Sequence, residues 1–159
     1  MRYDRLGDAS SACGRADGGR WDRANPDAIV LLLQEADQKG RQGLTSHELM
    51  EIQRELCRRF GAEFAPVLES QIAGVARGLA CAKDPINGLR HPPQGQTCGW
   101  YVWAGELSQR ADFFEPQHVA HLNEWCPRIM RYLALPPGWR FLIASNYEDV
   151  WFDATLLDV

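Results

Sequence analysis

The sequence has 159 residues, of which 45% are hydrophobic and 24% charged, with a net charge of -4 and a mean hydropathy of -0.35. This composition is ordinary for one globular domain, and it excludes a fully disordered chain, a coiled-coil rod and a collagen-like fibre. No stretch of eighteen apolar residues occurs, so no membrane-spanning helix is predicted. Residues 99–159 carry eight acidic and four basic side chains, an excess that disfavours direct contact with nucleic acid and suits a basic partner.

The cysteines give no sign of a paired or metal-binding arrangement. They are widely spaced and form no CxxC motif, which argues against a zinc ribbon and a thioredoxin-like site: Cys13, Cys57, Cys81, Cys98 and Cys126. The sequence opens without an apolar export segment, so a cytoplasmic protein with reduced thiols is expected.

The N-terminal part is predicted to be a tail followed by helices. Residues 1–24 are rich in Arg, Asp, Ser and Gly and lack apolar periodicity, which predicts a flexible tail. Asn25 and Pro26 are typical of a helix start, and a strongly apolar helix follows them. A single α+β domain is therefore predicted over residues 25–159, with residues 25–82 as its helical part.

Two further helices and a loop are predicted before the sheet begins. Thr45 and Glu48 form a capping box, and apolar residues at helical spacing follow as far as the natural stop at Gly61. Apolar residues three or four positions apart predict a third helix over residues 68–82. Residues 83–98 hold three Pro and two Gly, which predicts a loop.

The acidic C-terminal part is predicted to be a β-α-β-β unit. Residues 100–103 are aromatic and β-branched, which favours a strand. A helix is predicted to begin at Pro116 and to kink or restart at Pro127, because proline lacks the amide donor. Residues 139–144 read as a buried strand and residues 147–153 as an alternating one. An α+β fold is predicted, with N-terminal helices followed by a small, mainly antiparallel sheet and a kinked helix packed on it.

Two histidines are the main candidates for chemistry. His118 and His121 lie three residues apart on the predicted helix and therefore share a face. A small enzyme that uses this pair with a metal or a thiol is one alternative, and a general adaptor module is another. The sequence contains no HExxH motif, nucleophile elbow or phosphate-binding loop. No catalytic residue, metal or cofactor is therefore predicted.

The last predicted strand suggests a protein-binding surface. One face, predicted to be largely core, carries Glu148, Val150 and Phe152. The opposite face alternates aromatic and acidic side chains: Tyr147, Asp149, Trp151 and Asp153. Unpaired carboxylates are costly in a dry core, whereas Tyr and Trp anchor protein interfaces and charge steers association. Glu106 and Asp112, near the exit of the first predicted strand, are expected to extend the acidic rim. The alternative is a solvated sheet face across which the aromatic rings lie.

Several sequence blocks together resemble one known family. They are residues 99–106 (GWYVWAGE), 112–122 (DFFEPQHVAHL), 126–127 (CP), 132–143 (YLALPPGWRFLI) and 147–151 (YEDVW). Over residues 99–153 the sequence is similar to the immunity-protein-thirty-three-like domain family of bacterial competition systems. The resemblance implies a non-catalytic cytoplasmic protein that binds and neutralises a cognate secreted toxin. A nuclease toxin with a basic cleft would suit the acidic residues of this sequence.

Overall fold

The computed structural model describes residues 45–79 and 84–158. The predicted tail and the first predicted helix lie outside the described residues. In chain order the described elements are α1 (Ser46–Phe60), β1 (Ile72–Ala76), β2 (Ile86–Arg90), β3 (Thr97–Ala104), β4 (Phe114–His118), α2 (Val119–Trp125), a 3-10 helix (Pro127–Tyr132), β5 (Trp139–Ala144), β6 (Tyr147–Phe152) and a second 3-10 helix (Ala154–Leu157). None of the helices in these ranges is both long and apolar enough to cross a membrane.

Helix α1 begins and ends where its sequence signals predict. The backbone N–H of Thr45 donates to Glu48 Oε2 at 3.0 Å, and the N–H of Glu48 donates back to Thr45 Oγ1 at 3.3 Å. At the other end Gly61 adopts a left-handed conformation with φ of 69°, which glycine tolerates best. Leu56 and Cys57 are buried, so one face of the helix packs against the core.

The six strands form one mixed sheet in the order β4-β1-β3-β2-β5-β6. Only β1 and β3 are parallel, and the other four pairings are antiparallel. The core lies on one face of this sheet, where α1, α2 and the first 3-10 helix pack against Trp100, Val102, Phe141 and Ile143. The predicted α+β fold is confirmed. Helix α2 stops at Trp125, and Pro127 opens the 3-10 helix, so the predicted break also occurs.

The predicted third helix is wrong, because its residues form an extended segment and strand β1. Ala73 and Val75 are buried two residues apart, which is strand periodicity. Gly74 lies under the ring of Tyr101, and a Cβ at this position would be 2.5 Å from the ring Cδ1. The glycine therefore permits a close approach between β1 and β3, whereas apolar spacing alone suggested a helix.

The predicted loop over residues 83–98 is also wrong, since it contains β2, which lies between β3 and β5. The ring of Phe141 packs directly against Gly88 and leaves no room for a side chain there. The segment that begins with Pro116 differs as well: residues up to His118 are strand β4, paired with β1, and the helix starts only at Val119. In each case a partner strand distant in sequence decides the local structure.

Arg90 links the centre of the sheet to the segments that cross its core face. Only 4% of this residue is exposed. Its Nε donates to the carbonyl of Cys98 at 3.0 Å, and its Nη1 donates to those of Ala65 at 2.7 Å and Leu135 at 2.5 Å. Burial lowers the pKa of the guanidinium below its usual value. The arginine thus satisfies carbonyls from three segments at once.

The expectation of reduced cysteines holds for only part of the described chain. Cys57 and Cys98 are buried free thiols, and burial raises the pKa of both. Cys126 is disulfide-bonded. Wide spacing in the sequence does not report distance in the fold, which is why the expectation fails at Cys126.

Candidate functional site

The sheet face opposite the core, here called the outer face, carries the sequence-predicted binding residues of β6. From β4 to β6 it presents Phe114, Pro116, Gly74, Ala76, Tyr101, Trp103, Asn87, Leu89, Arg140, Leu142, Tyr147, Asp149 and Trp151. Its larger side chains are mostly partly exposed, and Trp103 is the buried exception at 4% exposure. Trp103 does not belong to the main core cluster, so the outer face has an apolar cluster of its own.

Strand β6 presents Tyr147, Asp149 and Trp151 on the outer face, as predicted from alternation. Tyr147 is 57% exposed, Asp149 is exposed, and Trp151 is half-buried. On the core side Val150 is buried, but Phe152 is 49% exposed although it was assigned to the core face. We call Tyr147, Asp149 and Trp151 the β6 patch.

Asp153 does not join the β6 patch as a free carboxylate. It follows the strand and caps the second 3-10 helix, accepting from Thr155 N at 3.1 Å. It also accepts from Arg140 Nη1 at 3.0 Å, and the guanidinium of Arg140 lies 5.3 Å from the ring centre of Trp151. The hydrogen bonds from Thr155 and Arg140 lower the pKa of the Asp153 carboxyl. Asp153 therefore holds Arg140 beside Trp151, and most of its charge is compensated.

The two acidic residues predicted to extend the rim differ in their surroundings. Glu106 is exposed, and like Asp149 it has no hydrogen-bond or ion-pair partner among the described residues. Glu106 follows β3 at the sheet end that also carries the β5–β6 turn. Three strand spacings separate β3 from β6, which is about 14 Å.

Asp112 lies farther away, because β4 and β6 are the opposite edges of the sheet, about 24 Å apart. Its two carboxylate oxygens accept from Nε and Nη2 of Arg110 at 3.0 and 3.1 Å. Arg77 lies 3.8 Å away as a second cation. The structure therefore places Glu106 at the same sheet end as Tyr147, about 14 Å from β6, and places Asp112 about 24 Å from that strand.

An aromatic cluster on the β4 side of the outer face was not predicted. The ring centres of Tyr101 and Phe114 are 5.1 Å apart, those of Trp103 and Phe114 6.1 Å, and those of Phe113 and Phe114 4.8 Å. The alternation of Tyr101 and Trp103 along β3 is the sequence signal that could have revealed it. This cluster gives the outer face an apolar region on the side away from β6.

A polar contact behind β6 was also missed. Glu148 forms an ion pair with Arg59 of α1, and its Oε1 accepts from the hydroxyl of Tyr132 at 2.6 Å. Burial, followed by the negative charge of Glu148, raises the pKa of the Tyr132 hydroxyl. The strand that carries the β6 patch is thereby tied to α1 and to the first 3-10 helix.

The histidine pair lies at the start of α2 with contacts of its own. His118 Nδ1 is 3.1 Å from the carbonyl of Ser70, and the ring of His121 stacks on Trp125 with centres 6.3 Å apart. Within residues 45–79 and 84–158, no group of three or more potential ligands is arranged to hold a metal ion.

Comparison with known proteins identifies a family. The model of the Imm33-like domain family matches residues 52–153, from within α1 to the end of β6. No match was found among curated proteins or among solved structures. The family match extends the resemblance seen in the C-terminal part of the sequence to the whole described sheet.

Proposed function

Because the chain belongs to the Imm33-like domain family, we propose that it is an immunity protein that binds and neutralises a cognate secreted antibacterial toxin. Neutralisation would protect the producing cell and its kin. The family match over residues 52–153 is the observation that carries this proposal. It favours a dedicated toxin partner over a general adaptor, and binding over catalysis by the histidine pair.

The surface that we assign to the toxin is the β6 patch with Glu106 at its rim. Tyr147 and Trp151 offer aromatic area of the kind that dominates binding energy at protein interfaces. Asp149 and Glu106 carry negative charge without a partner in the described chain, and such charge attracts a basic surface. Asp112 is excluded from this surface by its distance from β6 and by its contacts with Arg110 and Arg77.

The proposed mechanism is occlusion. A toxin that acts on nucleic acid needs a basic cleft, and carboxylates of the immunity protein would take the place of the phosphates there. Trp151 would fill a pocket in the toxin, while Asp149 would steer the approach. The bound immunity protein then blocks the entrance to the toxin's substrate site.

The test is to purify the chain with the toxin domain encoded by the neighbouring reading frame and to measure protection of cells that express that toxin. We expect a stable complex and full protection by the wild type. Trp151→Ala should weaken the complex by about 2 kcal/mol or more, since central aromatic anchors commonly contribute that much. The matched control is Trp125→Ala, because Trp125 is a 41%-exposed tryptophan on α2, away from the outer face.

If the wild type neither formed a complex with the toxin domain nor protected the cells, the immunity function would be contradicted. Equal weakening by Trp151→Ala and Trp125→Ala would leave the immunity function standing but move the interface away from β6. Thermal melting of both variants checks that neither loss of binding reflects unfolding.

A further inference from the structure

We propose that the toxin binds by adding an extended, basic segment of its own chain as a further strand along the free edge of β6. This inference rests on the proposed immunity function and specifies how the partner is held. Edge strands present backbone N–H and C=O groups in a row, and an extended peptide can pair with them.

The ladder between β5 and β6 shows which backbone groups point to the free edge. The N–H of Asp153 donates to the carbonyl of Gly138 at 2.7 Å, one step beyond the register pair Trp139 and Phe152. In an antiparallel ladder, residue pairs alternate between those that exchange hydrogen bonds and those that do not. Counting in twos from Asp153 therefore turns the backbones of Trp151, Asp149 and Tyr147 toward β5. The N–H and C=O groups of Glu148, Val150 and Phe152 point away from the sheet, and we call them the β6 edge.

No strand or loop among residues 45–79 and 84–158 pairs with the β6 edge. β6 pairs with β5 alone, and its edge groups make no other backbone hydrogen bond in the described chain. All six β6 residues pair with β5 in an uninterrupted register. The strand contains no proline, lysine or bulge, which are three of the devices that block an edge. Tyr147 and Phe152, at its two ends, are 57% and 49% exposed.

Charge selects the kind of strand that can be added. Glu148 is occupied by Arg59 and Tyr132, so the charge of the strand that has no partner among residues 45–79 and 84–158 is that of Asp149. A basic side chain opposite Asp149 would form a favourable cross-strand pair. A second copy of β6 would instead bring its own Asp149 close to this one, and facing like charges are destabilising. The expected occupant is therefore a basic segment of the toxin, flanked by Tyr147 and Trp151.

Amide hydrogen exchange of the free protein and of its complex with the neighbouring-frame toxin domain tests the strand addition. In the free protein we expect fast exchange at Val150 and Phe152 and slow exchange at Asp149 and Trp151. In the complex, the amides of Glu148, Val150 and Phe152 should slow at least tenfold, while Asp149 and Trp151 stay slow. This period of two distinguishes a paired strand from side-chain contact over the outer face.

A matched pair of variants tests the same point by binding. Phe152→Pro removes an outward N–H that the fold does not use, and proline is tolerated on edges where the N–H faces solvent. Phe152→Ala removes the same ring but keeps the N–H. We expect Phe152→Pro to bind the toxin domain at least tenfold more weakly than Phe152→Ala. If Phe152→Pro does not fold, the exchange pattern of the wild type decides.

Three results would overturn the inference in distinguishable ways. A stable complex without slowed exchange at Val150 and Phe152 would exclude strand addition and leave the immunity function intact. If the amides of Val150 and Phe152 exchange slowly in the protein alone, and exchange more slowly as the protein concentration increases, the β6 edge pairs with a second copy. The lack of any complex would contradict the immunity function itself, and the strand addition with it.

Discussion

The two edges of the sheet are built differently. The β4 edge is five residues long, contains Pro116 and leads directly into α2 at Val119. Next to Pro116, Glu115 accepts from Arg77 Nε at 2.7 Å. Strand β6, at the opposite edge, is six residues long, contains no proline and keeps regular pairing with β5.

This difference between the edges supports the proposal that the partner binds on the β6 side of the sheet. Proline protects an edge from unwanted pairing, so the β4 edge is the protected one. Strand β6 lacks proline and carries exposed aromatic residues together with Asp149, a carboxylate that has no partner among the described residues. A strand left unprotected in this way is a hazard unless it has a partner, which agrees with the function proposed for it.

The largest expected effect on stability comes from Arg90, whose hydrogen bonds support the centre of the sheet between the two edges. Arg90→Met would leave the carbonyls of Cys98, Ala65 and Leu135 without their donor inside the core. Each buried group left unsatisfied costs about 1–3 kcal/mol, so we expect a loss of about 3 kcal/mol or more in the free energy of unfolding. Urea denaturation measures it, with Arg58→Met as the control because Arg58 is an exposed arginine. A loss below 1 kcal/mol would show that the hydrogen bonds of Arg90 contribute little to the stability of the sheet.

A charge reversal near each edge tests whether the β6 side attracts the partner. Asp149→Lys places a cation in the β6 patch, and we expect it to slow association with the toxin several-fold and to make the rate less sensitive to salt. Asp112→Lys makes the same change near the β4 edge and should leave association nearly unchanged. Stopped-flow measurements at low and high salt compare the two variants. Equal slowing by both would mean that overall charge, and not the β6 patch, steers the encounter.

Local patterns predicted the elements that local interactions determine. The capping box of Thr45 and Glu48 set the start of α1, and aromatic, β-branched or alternating runs identified the three strands β3, β5 and β6. Strands β1, β2 and β4 were missed because their formation depends on distant partners. Gly74 is covered by Tyr101 and Gly88 by Phe141, and a glycine without its partner reads as a break in regular structure.

The candidate site was predictable to a similar extent. Alternation correctly assigned Tyr147, Asp149 and Trp151 to one face, because that depends on strand geometry alone. The pairing of Asp153 with Arg140 requires the β5–β6 register, and that of Glu148 with Arg59 joins residues 89 positions apart. Neither could be read from the sequence. The free or compensated state of each carboxylate, which decides its value for binding, therefore came only from the fold.

A smaller effect is expected from the contact that supports β6 from behind. Tyr132→Phe removes the hydroxyl that donates to Glu148 and keeps the ring that stacks on Phe141 with centres 4.6 Å apart. We expect a loss of about 1 kcal/mol in the free energy of unfolding, the usual net value of one hydrogen bond, or somewhat more because Glu148 is charged. Denaturation with urea measures the change. Fast exchange at the inward amides of Asp149 and Trp151 in this variant would indicate that the hydrogen bond between Tyr132 and Glu148 also orders β6. Unchanged stability would show that the ion pair with Arg59 is enough to hold Glu148.

The smallest effect concerns acid sensitivity at the two edges. Hydrogen bonds from Thr155 and Arg140 lower the pKa of the Asp153 carboxyl in the folded state. A lowered folded-state pKa means that the stabilisation is present above the unfolded-state pKa of about 3.9 and is lost as the pH falls through the folded-state value. Asp153→Asn should therefore be less stable than the wild type at pH 6, and the difference should shrink as the pH falls below about 4.

The control is Glu115→Gln at the β4 edge. It removes an ion pair whose members are 42% and 63% exposed, and exposed pairs contribute little. We expect melting curves from pH 6 to pH 2.5 to separate Asp153→Asn from the wild type and to leave Glu115→Gln close to it. A constant difference for Asp153→Asn across this range would mean that the carboxylate acts through its capping geometry and not through its charge.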